Sequence, residues 1–154
     1  MAHTMPDSFP IEIDGMAISA AKTELTARQH TIVIDEPPER GGTDIAATPL
    51  EHMLSSFLAC TNVITQFVAV QKRLKIRGMS MSLVGHFDTR GVFEKASVRC
   101  PFPTIEMKVE IQSDMSLDEL HDLKAAVARR CPVSVILREA GCQIEDVWQL
   151  MPST

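Results

Sequence analysis

Along TPLEHMLSSFLACTNVITQFVAVQK, residues 48–72, apolar side chains return every third or fourth position. Met53, Phe57, Cys60, Ile64 and Phe67 fall on one stripe, and Leu50, Leu54, Leu58, Val63 and Val68 widen it beyond a single face. The spacing predicts a helix over about 49–72, roughly 35 Å long at ~1.5 Å per residue. Its start is marked three ways, by Thr48 as N-cap, Pro49 at the first helical position and Glu51 completing a capping box. A helix this apolar must be covered on most sides, by a curled sheet or by a second subunit.

Elsewhere the period is two. Upstream, IEI at 11–13, then MAISA, then ELTARQHTIVIDEP read as strands, the last as one longer strand ending before Pro37. PPERGGTDIAATP, rich in proline and glycine, reads as a loop within a domain. After Gly78, Met79, Met81 and Leu83 alternate with serines, and Ile105, Met107, Val109 and Ile111 do the same in TIEMKVEIQS. GVFEKASVRCPFP reads as a further strand between them. Ser116 and Glu119 form a second capping box, opening a helix with Leu117, Leu120, Leu123 and Val127 inward to about Arg130. A short helix follows from Pro132 to Gly141, and QIEDVW is a last strand. Helices and strands are segregated, so the expectation is an α+β fold in a single domain over 1–154. Its strands occupy about 10–36, its central helix about 49–72, and its remaining strands and helices about 79–148.

Composition narrows the function classes. With 154 residues, 45% hydrophobic, the chain can bury a core without disulfides or metals. A net charge of −5, no basic block, no tyrosine and one tryptophan argue against nucleic-acid and anionic-membrane partners. The start, MAHTMPDSFP, has no leader pattern, and Asn62, Thr65 and Gln66 interrupt the apolar window, so a cytoplasmic protein without a membrane span is expected. Four cysteines, none in a C-x-x-C pair, are then thiols.

Two of them are candidates for chemistry. Cys60 on an apolar helix stripe is, by residue type alone, more often a packing residue, and it lies about three turns from the helix start, beyond the reach of the dipole. Cys131 differs, because Pro132 at the first helical position puts it on an N-cap facing unpaired N–H groups, with Arg129 and Arg130 before it. That setting predicts a lowered thiol pKa at Cys131. Cys100 and Cys142 read as packing residues. His52, Cys60, His121 and Cys131 lack metal-site spacing, so no metal and no cofactor are expected.

GGTDIAATPLEHMLSSFLAC, followed about seventy residues later by RRCPVSVIL, resembles the OsmC/Ohr family of thiol-dependent hydroperoxide-handling proteins. The resemblance runs from about Asp35 to Val147 and includes the cysteine eleven residues after the helix-starting proline. It implies an OsmC-like fold, an intertwined homodimer with long central helices wrapped by antiparallel sheet. It also implies a peroxidase site in which Cys60 attacks a small organic hydroperoxide, Cys131 resolves the sulfenic acid as a disulfide, and a dithiol or thioredoxin-like reductant resets the pair. Met53, Phe57 and Ile64 would give the site an apolar lining. Arg28 or Arg40 would supply a cation to Cys60. Active peroxidases of the family carry a glutamate directly after the proline; here Leu50 stands there and Glu51 one residue later. A non-catalytic dimer binding a small apolar ligand is the alternative.

Overall fold

The computed structural model describes residues 6–151; the leader reading of the first positions reaches into 1–5, outside the described residues. In chain order the elements are β1 (Asp14–Ala17), β2 (Thr23–Ala27), β3 (His30–Ile34), a 3₁₀ turn (Pro38–Arg40), α1 (Pro49–Lys72), β4 (Ile76–His86), β5 (Thr104–Ser113), α2 (Leu117–Arg130), α3 (Pro132–Glu139) and β6 (Gln143–Met151). They form two compact units, Met1–Met53 and Leu54–Thr154, and α1 runs through the division.

In the first unit β1, β2 and β3 make an antiparallel sheet. The single long strand expected after Glu24 is a hairpin, since Ala27 pairs with His30 and the chain reverses through Arg28 and Gln29. Arg28, expected on a strand, is therefore a turn residue with φ 57°. Alternation of apolar residues continues through both arms, and Arg-Gln carries none of the usual two-residue turn signals, which hides the reversal in the sequence. Ile11–Ile13 lie outside the sheet: Asp14 pairs with Thr26, and β2 ends one residue later, so earlier residues have no strand left to pair with.

The second unit is built on α1 and a sheet of β4, β5 and β6. β4 and β5 pair antiparallel, but β6 lies parallel to β5, where an antiparallel wrap was expected. The physical reason is the connection: α2 and α3 carry the chain back to the end at which β5 began, and parallel neighbours require such a crossover. Alternation decides the core face, with Ile105, Val109 and Ile111 fully buried, and Leu120, Leu123 and Val127 of α2 are buried as well. GVFEKASVRCPFP is not a strand. Glu94 takes φ 54°, Lys95 N–H closes a turn on the Arg90 carbonyl at 2.8 Å, and Pro101 and Pro103 have no N–H to give a ladder.

α1 is turned about its axis relative to the apolar stripe. Its buried residues are Phe57, Thr61, Thr65, Val68 and Ala69, while Val63 and Phe67 are 62% and 52% exposed. Two threonines thus take core positions that periodicity assigns to Cys60, Ile64 and Phe67. Thr65 can do so because its hydroxyl donates to the Thr61 carbonyl of the same helix at 2.7 Å. By length and composition α1 could also cross a bilayer, a property that buried core helices share.

Candidate functional site

The junction of α2 and α3 puts Cys131 at the site. Its N–H closes α2 on the Val127 carbonyl at 2.9 Å, and Pro132 starts α3 immediately after it. As the N-cap of α3, its sulfur accepts the Ser134 N–H at 3.5 Å. Cys131 is fully buried. Cys60, on α1, is half-buried, and its thiol lies near enough to that of Cys131 to bear on its ionisation. Two cysteines remote along the chain are thereby adjacent, within one compact unit.

The expected acidity of Cys131 is reversed. Burial pushes its thiol above the ordinary value; the Ser134 N–H pulls it back, and the neighbouring Cys60 pushes it up again. An N-cap stabilises a thiolate only where the sulfur keeps enough polar surroundings, and here loss of water outweighs the amides. The preceding cation does not help, because Arg130 turns away to stack 5.0 Å over the Phe67 ring and to donate to Gln71 Oε1 at 2.7 Å. Phe57, expected to line an apolar pocket for substrate, is 1% exposed and belongs to the core.

Arg28, Arg40 and Glu51 belong to the first unit, where Arg40 and Glu51 are held by contacts of their own. Arg28 is exposed in the hairpin turn. Arg40 ends the 3₁₀ turn, with its Nε 2.6 Å from Glu36 Oε2. Glu51 closes the capping box, its carboxylate accepting the Thr48 N–H at 2.7 Å while its own N–H reaches Thr48 Oγ1 at 3.3 Å. The Thr48 amide also holds its pKa below the ordinary value. His52 Nε2 lies 3.3 Å from the Val33 carbonyl.

Beneath this loop is a residue that was not singled out from sequence, Asp35. It is fully buried, and its Oδ2 accepts the Thr43 hydroxyl at 2.6 Å, the Thr43 N–H at 3.0 Å and the Ile45 N–H at 3.4 Å. The Thr43 hydroxyl foremost, against burial, holds its pKa at about 2. Gly42 lets the loop fold down: a Cβ there would stand 1.7 Å from the Glu36 carbonyl oxygen.

Behind Cys131 a small pocket of about 10 Å³ is lined by polar groups that sequence pattern also missed, among them Thr61, Lys124, Ser134 and Asp146. Cys100 and Cys142 stand elsewhere. The Cys100 thiol donates to the Phe102 carbonyl at 3.1 Å, and burial foremost raises the Cys142 thiol. Among the described residues no group of three or more His, Cys, Asp or Glu side chains is gathered to hold a metal.

Two neighbouring thiols, one fully buried at a helix–helix junction and one on a long central helix, thus stand on an α+β scaffold. The family model for OsmC-like proteins matches residues 41–145, and the chain belongs to that family. No curated protein sequence matches the chain. Among solved structures, the OsmC-like protein from Mycoplasma pneumoniae is 22% identical, with 95% of this chain and 99% of that one covered at a TM-score of 0.80. An organic hydroperoxide resistance protein OsmC from Legionella pneumophila is 16% identical over 92% and 96% of the two chains, with a TM-score of 0.65. The organic hydroperoxide resistance protein OhrB of Bacillus subtilis is 15% identical over 93% and 98%, with a TM-score of 0.60. At these identities the likeness is one of fold.

Proposed function

We propose that the chain is a cytoplasmic, homodimeric thiol peroxidase that reduces organic hydroperoxides in the response to oxidative stress. The observation that supports this reading is the nearness of the Cys60 thiol to that of Cys131, close enough to raise it. The Cys60 thiolate attacks the outer oxygen of ROOH, the O–O bond breaks, and the alkoxide leaves as ROH after taking a proton. Cys60 is then a sulfenic acid. The Cys131 sulfur attacks it; the S–O bond breaks, and oxygen leaves as water with the Cys131 proton. A dithiol or thioredoxin-like reductant returns the disulfide to two thiols. A raised thiol at Cys131 suits the resolving role, which needs a thiolate only after the first step. In the proposed dimer an arginine, Arg28 or Arg40, supplies the cation for Cys60, and Glu51 serves this step only by fixing the start of α1. Hydroperoxide resistance in the names of two relatives supports the substrate class.

The dimer is supported by α1, whose Val63, Phe67 and Val70 are 62%, 52% and 76% exposed along one line of the helix. A second copy of the chain would cover them.

Treating the reduced protein with one equivalent of an alkyl hydroperoxide and digesting it without reductant should yield a Cys60–Cys131 peptide, with peroxide consumed. Peroxide left intact and both thiols free would overturn the proposal. Leu50, standing where active family members have a glutamate, favours the second reading, a non-catalytic dimer that binds a small apolar ligand. On that reading Cys60→Ser leaves binding unchanged; on the first it abolishes turnover.

A further inference from the structure

The pocket behind Cys131 is not needed to bring the two sulfurs together, yet charged and hydrogen-bonding groups stand among its apolar lining inside a core. Lys124 reaches across from α2 to β6, its Nζ donating to the Asp146 carbonyl oxygen and standing 3.4 Å from Asp146 Oδ1. Trp148 Nε1 donates to Asp146 Oδ2 at 2.8 Å, so the carboxylate is fixed from both sides. The Asp146 side chain is only 12% exposed and that of Lys124 33%. An ammonium has three N–H donors, and Asp146 engages two of them at most. On the opposite wall Thr61 is 1% exposed and its Oγ1 has no hydrogen-bond partner. A buried hydroxyl without a partner costs about 1–3 kcal/mol. The pocket has room for about one water molecule, which makes two to four hydrogen bonds in such a place.

We propose that this pocket is a water-and-ammonium site serving Cys131, in which one water held by the Thr61 hydroxyl carries the positive field of Lys124 to the Cys131 sulfur. It rests on the reading of Cys131 as the resolving thiol. When the Cys131 sulfur attacks the Cys60 sulfenic acid, negative charge gathers on a sulfur that burial has stripped of solvent. The charged groups around it are Lys124 on α2, Arg138 on α3 and Asp146 on β6, with the Cys60 thiol facing it from α1. Arg138 donates to Ser134 Oγ at 3.3 Å and bears on the Cys142 thiol. Lys124 is thus the lining cation left without a second side-chain task, and Asp146 sets its place. No net proton is stored: the one lost by Cys131 departs in the water formed from the sulfenic oxygen. Lys124 and Thr61 are positioning residues, acting through the water.

The test is the ultraviolet titration of the Cys131 thiolate in a full-length chain carrying Cys60→Ser, Cys100→Ser and Cys142→Ser. Lys124→Met should weaken the acid about tenfold, and Thr61→Val about threefold, because an opposite charge or a donor is removed from the thiolate. Lys124→Arg should restore most of the loss. Unchanged titration in both Lys124→Met and Thr61→Val would overturn the proposal; should Lys124→Met fail to fold, the near-isosteric Thr61→Val decides alone. No peroxide enters this measurement. Failure here leaves peroxide consumption by the native protein intact, and failure of the peroxidase reading leaves this titration intact.

Discussion

Asp35 shows how one carboxylate can organise a loop. Three donors converge on its Oδ2, and they hold it at about 2 against an ordinary 3.8. A carboxyl depressed in the folded state contributes stability that is fully present above 3.8 and is lost as pH falls through about 2. Asp35→Asn should therefore lower the denaturant midpoint near neutral pH, and the gap from the native chain should close as the pH falls through that window. A gap constant with pH would show that shape rather than charge matters there. Cys131 teaches the complementary lesson, that the same hydrogen bond to a helix N-terminus cannot lower a thiol once burial removes its water.

At the scale of elements, the caps do what their letters announce. Ser116 Oγ accepts the Glu119 N–H at 3.2 Å, and Glu119 Oε2 accepts the Ser116 N–H at 2.7 Å. Ser116→Ala should cost about 1 kcal/mol with an unchanged denaturant slope, since the cap satisfies N–H groups without adding to the core. A midpoint that stays put would mean that solvent replaces the cap. The short α3 ends at Glu139, and Gly141 just beyond its cap takes a φ of 97° that suits a residue without a side chain. α1 behaves differently, because its burial is decided by what surrounds it, and two threonines inside the core displace the apolar stripe outward.

For the molecule as a whole, that outward stripe is the feature to test. Val63 and Val70 are exposed in the single chain, so changing them should not disturb its own packing. The native protein should have the mass of a dimer by light scattering, and Val63→Asp with Val70→Asp should halve it while leaving the far-ultraviolet spectrum alone. Equal mass for native and variant chains would remove the proposed interface. A net charge of −5 sets no strong field against such pairing.

The sequence alone determined the local features, because capping, turn chemistry and periodicity act over a few residues. It marked the starts of α1, α2 and α3 at Thr48, Ser116 and Cys131, the alternation of β4 and β5, and the two cysteines and their order. Tertiary structure decided whatever depends on contacts distant in the chain. The hairpin at Arg28, the parallel seat of β6 and the rotation of α1 follow from which strands and helices find one another. So does the acidity of Cys131, since an N-cap is written in the letters but the exclusion of water is not. The Thr61, Lys124 and Asp146 pocket is legible only in space, because three elements far apart in sequence must meet before their side chains can line one cavity.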